Sequence, residues 1–152
     1  MERPTFIELI TYKKKPSQLW IYSDYIIKTD TARAMKGYEF VSLSESAADD
    51  YIAAIDKYIS WHSIAMADGD IIDKEISKAM GRKKSLKVKF GFYSANAQSH
   101  YLTLQHCAVG TCLEPVMAFD MKNALHLKET ISKWKVGQLQ SLSSQDIDDK
   151  YK

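Results

Sequence analysis

The hydrophobic pattern of this chain switches from the two-residue period of strands to the 3.6-residue period of a helix, and it does so twice. Residues 6–12, 19–27 and 38–43 are rich in aromatic and β-branched side chains, which is typical of strands. Apolar residues then recur at spacings of three and four over residues 48–62, behind a serine at 44 or 46 that is suited to cap a helix. The first cycle therefore predicts three strands followed by an amphipathic helix.

The second cycle has the same order. Residues 86–92 alternate strictly, residues 101–106 and 115–119 supply two further strands, and Asp120 is a good N-cap for a helix that ends near Gly137. Between the cycles, a break at Gly69 and apolar residues at 71, 72, 76 and 80 predict a shorter helical segment over residues 68–84. The pattern indicates an α+β fold.

Both predicted long helices end in a similar way, with Ile59-Ser60-Trp61 in the first and Ile131-Ser132-Lys133-Trp134 in the second. We interpret this as an internal duplication within one domain of residues 1–136, made of repeats 1–67 and 85–136 that pack as a pseudo-dimer. The alternative is two unrelated halves whose tryptophans coincide by chance. Residues 137–152 are rich in Ser, Gln and Asp and are predicted to form a disordered acidic tail.

Composition excludes several classes of protein. The 152 residues are 45% hydrophobic and carry 21 basic and 19 acidic side chains, which excludes a histone-like polycation and an acidic disordered chain. No apolar stretch approaches the roughly 20 residues that a bilayer span needs, and the first residues do not lead into a signal-peptide core. We therefore expect a soluble cytoplasmic protein with no membrane partner.

The net charge of +2 conceals a polarised chain. Residues 41–80 carry 3 basic and 8 acidic groups, whereas residues 81–136 carry 9 basic and 3 acidic groups. The basic groups near predicted strands are Lys13, Lys14, Lys15, Arg82, Lys83, Lys84, Lys87 and Lys89, and the neighbouring aromatic candidates for stacking are Trp20, Tyr22, Tyr93 and Tyr101. Lysines that follow phosphates beside aromatics that stack bases are the chemistry of single-stranded nucleic-acid binding. The alternative is that the aromatics are core residues and the lysines are only solvated.

The segments QLWIY at 18–22 and KGYEFVSLS at 36–44, followed by a helix that ends near Trp61, add a resemblance. This layout resembles the Whirly family and the family of single-strand-binding transcriptional coactivators. The resemblance implies two strand-rich units that meet through their helices, with basic and aromatic sheet faces that bind single-stranded DNA. The second half departs from it, because the serine-rich motif is absent before Asp120.

The sequence offers little support for an enzyme or for a metal-binding protein. Cys107 and Cys112 flank a predicted hairpin turn, so their side chains can lie opposite each other, and we expect them to remain thiols in a reducing cytosol. With His100 and His106 they match none of the familiar zinc spacings. Asp68, Asp70, Asp73 and Glu75 form the densest acidic cluster, yet they lack the spacing of a calcium loop.

The sequence thus predicts a non-enzymatic protein, without cofactor or metal, that binds single-stranded DNA or RNA. The rival prediction is a protein-interaction module, such as an immunity, chaperone-like or phage accessory protein, that docks through its sheet or its acidic helix. A homodimer is compatible with either.

Overall fold

The computed structural model describes residues 5–11, 16–28, 34–113 and 116–139, and for residues 5–6, 23–28 and 34–40 it describes the backbone alone. Over these ranges the chain forms two antiparallel sheets and two long helices, which confirms the predicted α+β class. Lys13 to Lys15 and residues 140–152 of the predicted tail lie outside the described residues.

The first sheet contains three strands in the order β1-β2-β3, and the sequence predicted each of them. These strands are β1 (Thr5–Ile10), β2 (Gln18–Lys28) and β3 (Ala34–Ser44). Alternate residues of β2 and β3 point into the core, because Leu19, Ile21, Val41 and Leu43 are all buried. This alternation is what gives a strand one buried face.

Helix α1 (Ala48–Asp68) follows a 3-10 turn at Glu45–Ala47. The predicted serine cap is wrong: the N-cap of α1 is Ala47, and the Ser44 hydroxyl hydrogen-bonds the Ser46 hydroxyl instead. The 3-10 turn moves the helix start past both serines. The helix ends at Gly69, whose φ of 70° lies in the left-handed region that glycine adopts without a steric penalty.

The predicted helical segment over residues 68–84 is also wrong, because residues Asp73–Met80 form strand β4. The register of β4 against β5 shifts between Glu75 and Ser77, which leaves Ile76 as the extra residue of a β-bulge. The extra residue breaks the period of two, because Lys74 and Ser77, which pair with the inward Phe92 and Phe90, are three residues apart, a spacing that is typical of a helix. The bulge is the physical reason for the wrong prediction.

The second sheet is built on a long hairpin of β5 (Leu86–Asn96) and β6 (Ser99–Ala108). Strand β4 pairs with the free edge of β5. The opposite edge of the hairpin, on β6, is shared by the short strands β7 (Thr111–Cys112) and β8 (Met117–Phe119).

Helix α2 (Met121–Lys135) begins where the sequence predicted. The Asp120 carboxylate accepts a hydrogen bond from the backbone N–H of Asn123 at 2.9 Å, so the predicted cap is confirmed. The spacing of Ala124, Leu125, Ile131 and Trp134 in the sequence predicts that they form the buried stripe of α2, but Leu125 is 47% exposed and Leu127 is buried instead.

The two helices pack antiparallel, because Asp56 of α1 pairs with Lys128 and Asp49 pairs with Lys135. Both helices lie on the inner face of the second sheet, where Tyr51 packs on Phe90 with ring centroids 5.8 Å apart. The first sheet joins this core through a β-bridge between Leu43 and Gly81. Buried side chains of both sheets and both helices form one cluster. The internal duplication stays a prediction, since the two sheets differ in strand number.

Candidate nucleic-acid interface

Strand β5 separates two kinds of side chain onto its two faces. Val88, Phe90 and Phe92 are fully buried on the inner face, against the helices. The residues between them face away from the core, where Lys87 and Tyr93 are exposed and Lys89 is half-buried. The strict alternation of residues 86–92 thus places the lysines and the phenylalanines on opposite faces of the strand.

The strand register arranges the outward residues of β4, β5 and β6 in three cross-strand rows. The first row is Asp73, Tyr93 and Tyr101; the second is Glu75, Gly91 and Thr103; the third is Lys78, Lys89 and Gln105. We call this surface, together with Lys87 beyond the third row, the open face. Its side chains are exposed or half-buried, and the helices lie on the other side of the sheet.

The first row contains two tyrosines. Tyr93 and Tyr101 are directly opposite on neighbouring strands, which places their Cβ atoms about 5 Å apart. Tyr93 is 44% exposed and Tyr101 is half-buried. An exposed phenol ring on a sheet is a surface on which a nucleic-acid base can stack.

The middle of the open face is low because it contains a glycine. A Cβ atom added at Gly91 would lie 2.5 Å from Oγ1 of Thr103. The threonine side chain therefore lies over the glycine, and any larger residue at position 91 would displace that side chain. The result is a shallow polar floor between the tyrosines and the lysines.

Positive charge collects at the other end of the open face. Lys78 and Lys89 are directly opposite, and Lys87 lies two residues further along β5. The turn that joins β4 to β5 adds the exposed side chains of Arg82, Lys83 and Lys84. Since a strand rises about 3.3 Å per residue, the six residues from Tyr93 to Lys87 span about 20 Å.

The structure therefore brings seven of the twelve predicted residues to this face and its turn. Trp20 and Tyr22 lie on the first sheet, on the side opposite the buried Leu19 and Ile21, and both are half-buried. The indole N–H of Trp20 donates a hydrogen bond to Oε1 of Gln18 at 2.8 Å. These two aromatics are not part of the open face.

Besides Gly91, five residues of the open face were missed by the sequence prediction: Asp73, Glu75, Lys78, Thr103 and Gln105. The first three lie on β4, which was predicted as helix, so no strand partner was assigned to them. Thr103 and Gln105 have the same parity as Tyr101, and that alternation was a signal that could have found them.

Two neighbouring histidines, His62 and His100, have contacts that are typical of structural residues. The Nδ1 atom of the buried His100 lies 2.6 Å from the Ser94 hydroxyl, and its Nε2 atom lies 3.0 Å from the carbonyl oxygen of Ala97. Because Nε2 can only donate to a carbonyl, Nδ1 accepts from the serine, so both ring nitrogens are engaged. Burial, with a smaller contribution from His100, lowers the pKa of the neighbouring His62.

His106 connects the two sheets. Its Nε2 atom accepts a hydrogen bond from the backbone N–H of Ser42 in β3 at 3.1 Å, which requires a neutral ring. Burial lowers the pKa of His106, and the charge of Arg82 lowers it further. Within the described ranges, no group of three or more His, Cys, Asp or Glu side chains is placed to hold a metal ion.

The cysteines differ from the prediction. Cys107 and Cys112 lie opposite each other across β6 and β7, as expected, but they form a disulfide and are not thiols. The hairpin turn at Val109 and Gly110 brings the two cysteines together, whereas their oxidation depends on the redox environment.

None of the comparisons with known proteins found a match: no protein-family model, no curated protein and no solved structure matches this chain. Among the described residues, neither helix has the length and apolar character that crossing a bilayer requires.

Proposed function

We propose that this protein binds single-stranded nucleic acid, without chemistry, on the open face of its second sheet. The observation that supports this most is the adjacent pair Tyr93 and Tyr101, on the same solvent-facing surface as the lysines of the third row. Base stacking on the tyrosines and phosphate contacts from the lysines require the two groups to share a face, and they do.

The strand direction gives the ligand a path. A chain laid along β5 places bases over the tyrosine pair, while its phosphates continue toward Lys89, Lys87 and the basic turn at residues 82–84. Duplex DNA would bury its bases away from the tyrosine rings, so the face suits an unpaired strand.

Fluorescence polarisation with labelled oligo-dT and oligo-rU, each at two salt concentrations, tests the proposal. We expect micromolar binding that weakens steeply as salt rises, because released counterions drive the association. The two oligonucleotides distinguish DNA from RNA. Absence of binding to both at low salt, or binding that does not respond to salt, would contradict the proposal.

Matched variants locate the site. Lys87→Gln and Lys89→Gln should each weaken binding and reduce the slope of log affinity against log salt by about 0.7. Lys122→Gln, an exposed lysine on α2, removes the same charge elsewhere and should preserve most of the affinity. Tyr93→Leu retains apolar bulk without an aromatic ring, and we expect it to weaken binding at unchanged salt slope.

The rival function, docking to a protein, has one specific observation in its favour. The hairpin tip closed by the disulfide exposes Val109 at 97%, and Leu113 and Val116 are exposed at 48% and 44%. Single exposed apolar residues are common, whereas three near one tip favour a contact surface. The acidic helix is a poorer docking element than the sequence suggested, because Asp49 and Asp56 already pair with α2.

A cytoplasmic location and the Whirly-like layout belong to the same proposal. In a reducing cytoplasm most copies would carry Cys107 and Cys112 as thiols, since cytosolic disulfides are rare. Differential alkylation of the two cysteines in freshly lysed cells, followed by mass spectrometry, measures this directly. A fully oxidised pair would contradict the cytoplasmic location.

A further inference from the structure

We propose that the open face prefers bases with an exocyclic amino group, and cytosine over thymine or uracil in particular, because of the carboxylate of Asp73. This inference rests on the proposed function. Its basis is the first cross-strand row, in which Asp73 is directly opposite Tyr93 and Tyr93 is directly opposite Tyr101.

The row brings a hydrogen-bond acceptor to the edge of a stacked base. Neighbouring strands lie about 4.8 Å apart, so a base stacked on the Tyr93 ring extends its edge to the position of the Asp73 side chain. Asp73 is exposed, which leaves its oxygens accessible from the same side as the ring. An ionised carboxylate accepts hydrogen bonds and donates none.

The two pyrimidines present opposite groups to such an acceptor. Cytosine offers the N4 amino donor, and a carboxylate accepting from this group is an established base contact. Thymine and uracil carry the O4 acceptor at the same position, where its lone pairs face those of the carboxylate. Because the two rings are otherwise alike in size and stacking surface, this contact dominates the difference between them.

Asp73 is better suited to this role than the other acid of the open face. Oε1 of Glu75 lies 3.7 Å from Nζ of Lys78, so part of its charge is already compensated. Among the described residues, the carboxylate of Asp73 has no ion-pair partner within 4 Å. A negative charge beside the tyrosines would not help a face that only attracted phosphates. It would help a face that distinguishes one base from another.

The experiment compares labelled oligo-dC with oligo-dT of equal length by fluorescence polarisation at one salt concentration and neutral pH. We expect the wild-type protein to bind oligo-dC about fivefold more tightly, the low end for a single base contact. Asp73→Asn should bind oligo-dT more tightly than the wild-type protein does and should lose the preference. Oligo-rC and oligo-rU repeat the comparison for RNA.

Asp68→Asn is the matched control, because Asp68 is exposed at the end of α1 and away from the open face. It should preserve the ratio of the two affinities. An equal affinity of the wild-type protein for both oligonucleotides, or a preference that persists in Asp73→Asn, would overturn the inference while leaving the proposed function intact. Failure to bind either oligonucleotide would instead count against the proposed function.

Discussion

The hydroxyl of Tyr51 joins three elements of the fold, so its removal is the most informative test of the core. Tyr51 of α1 is fully buried; its oxygen accepts a hydrogen bond from the backbone N–H of Ser44 at 2.9 Å and donates one to the carbonyl oxygen of Met80. Ser44 ends β3 and Met80 ends β4. One buried oxygen therefore ties the first sheet, the first helix and the second sheet together.

The magnitude follows from the number of bonds lost. Tyr51→Phe leaves one buried donor and one acceptor without this partner, and each such group costs about 1–3 kcal/mol, so we expect the free energy of unfolding to fall by about 2–6 kcal/mol. Tyr58 is the matched control, because it is equally buried and donates only one hydrogen bond, to the carbonyl oxygen of His100 at 2.8 Å. Tyr58→Phe leaves one such group and should cost about 1–3 kcal/mol, roughly half the loss in Tyr51→Phe.

Urea unfolding followed by circular dichroism measures both values, and Tyr93→Phe at an exposed position should change stability by less than about 0.5 kcal/mol. Equal losses for Tyr51→Phe and Tyr58→Phe would refute the reasoning that the Tyr51 oxygen joins the two sheets.

The same tyrosines make the fold sensitive to alkali. Burial raises the pKa of Tyr51 and of Tyr58 to about 12, whereas tyrosine in an unfolded chain ionises near 10. The neutral form is thus favoured by folding, and its contribution is complete below pH 10 and is lost as the pH rises toward 12. Stability measured between these values should fall less steeply in Tyr51→Phe than in the wild-type protein.

Three further predictions concern single sites. His106 has a lowered pKa and must be neutral to accept a hydrogen bond from Ser42, so its contribution to stability is present above pH 6.5 and is lost as the pH falls toward the folded pKa. In urea titrations, His106→Gln should therefore make stability depend less on acid pH. An unchanged dependence would contradict the assignment. The Cys107–Cys112 disulfide closes a short loop that restricts the unfolded chain, so its reduction should lower stability by about 2 kcal/mol, measured by thermal unfolding with and without reductant. An unchanged melting temperature would show that the loop constraint contributes nothing. Gly91→Ala should lower stability by about 1 kcal/mol through its contact with Thr103. In a Thr103→Ala background the same substitution should be neutral or stabilising, because alanine is favoured over glycine in a strand. A loss of stability that persists in that background would refute the clash.

The sequence predicted those parts of the fold in which local chemistry and hydrophobic period agree. Strand β5 alternates without interruption, and α2 has an aspartate at its N-cap and a glycine shortly after its last turn. In both elements each residue type supports the same local structure, so no tertiary information was needed. For the same reason, the alternation alone puts Lys87 and Lys89 on the face of β5 opposite Phe90 and Phe92.

The remainder depended on information that is not local. The bulge at Ile76 gives β4 a helical spacing, and only its pairing with β5 reveals that the segment is a strand. The hydrophobic period alone therefore could not predict the β4 side of the open face, which includes Asp73 and Lys78. Trp20 and Tyr93 both alternate with apolar neighbours, and nothing in that alternation shows that they belong to different sheets.

Part of the uneven charge distribution along the sequence is explained by ion pairs within the protein. This limits how steeply the affinity for a nucleic acid can depend on the salt concentration. Asp56 and Asp49 of the acidic helix pair with Lys128 and Lys135 of α2. Exposed ion pairs of this kind contribute about 0–1 kcal/mol each, so they orient the helices more than they stabilise them, and they occupy two lysines of the basic half. The open face and its turn carry six basic side chains, which are Lys78, Arg82, Lys83, Lys84, Lys87 and Lys89. With about 0.7 counterions released per phosphate contact on a single strand, the slope of log affinity against log salt should not be steeper than about −4. A steeper slope would show that basic residues outside this face also contact the phosphates, and would require a larger interface than the one proposed.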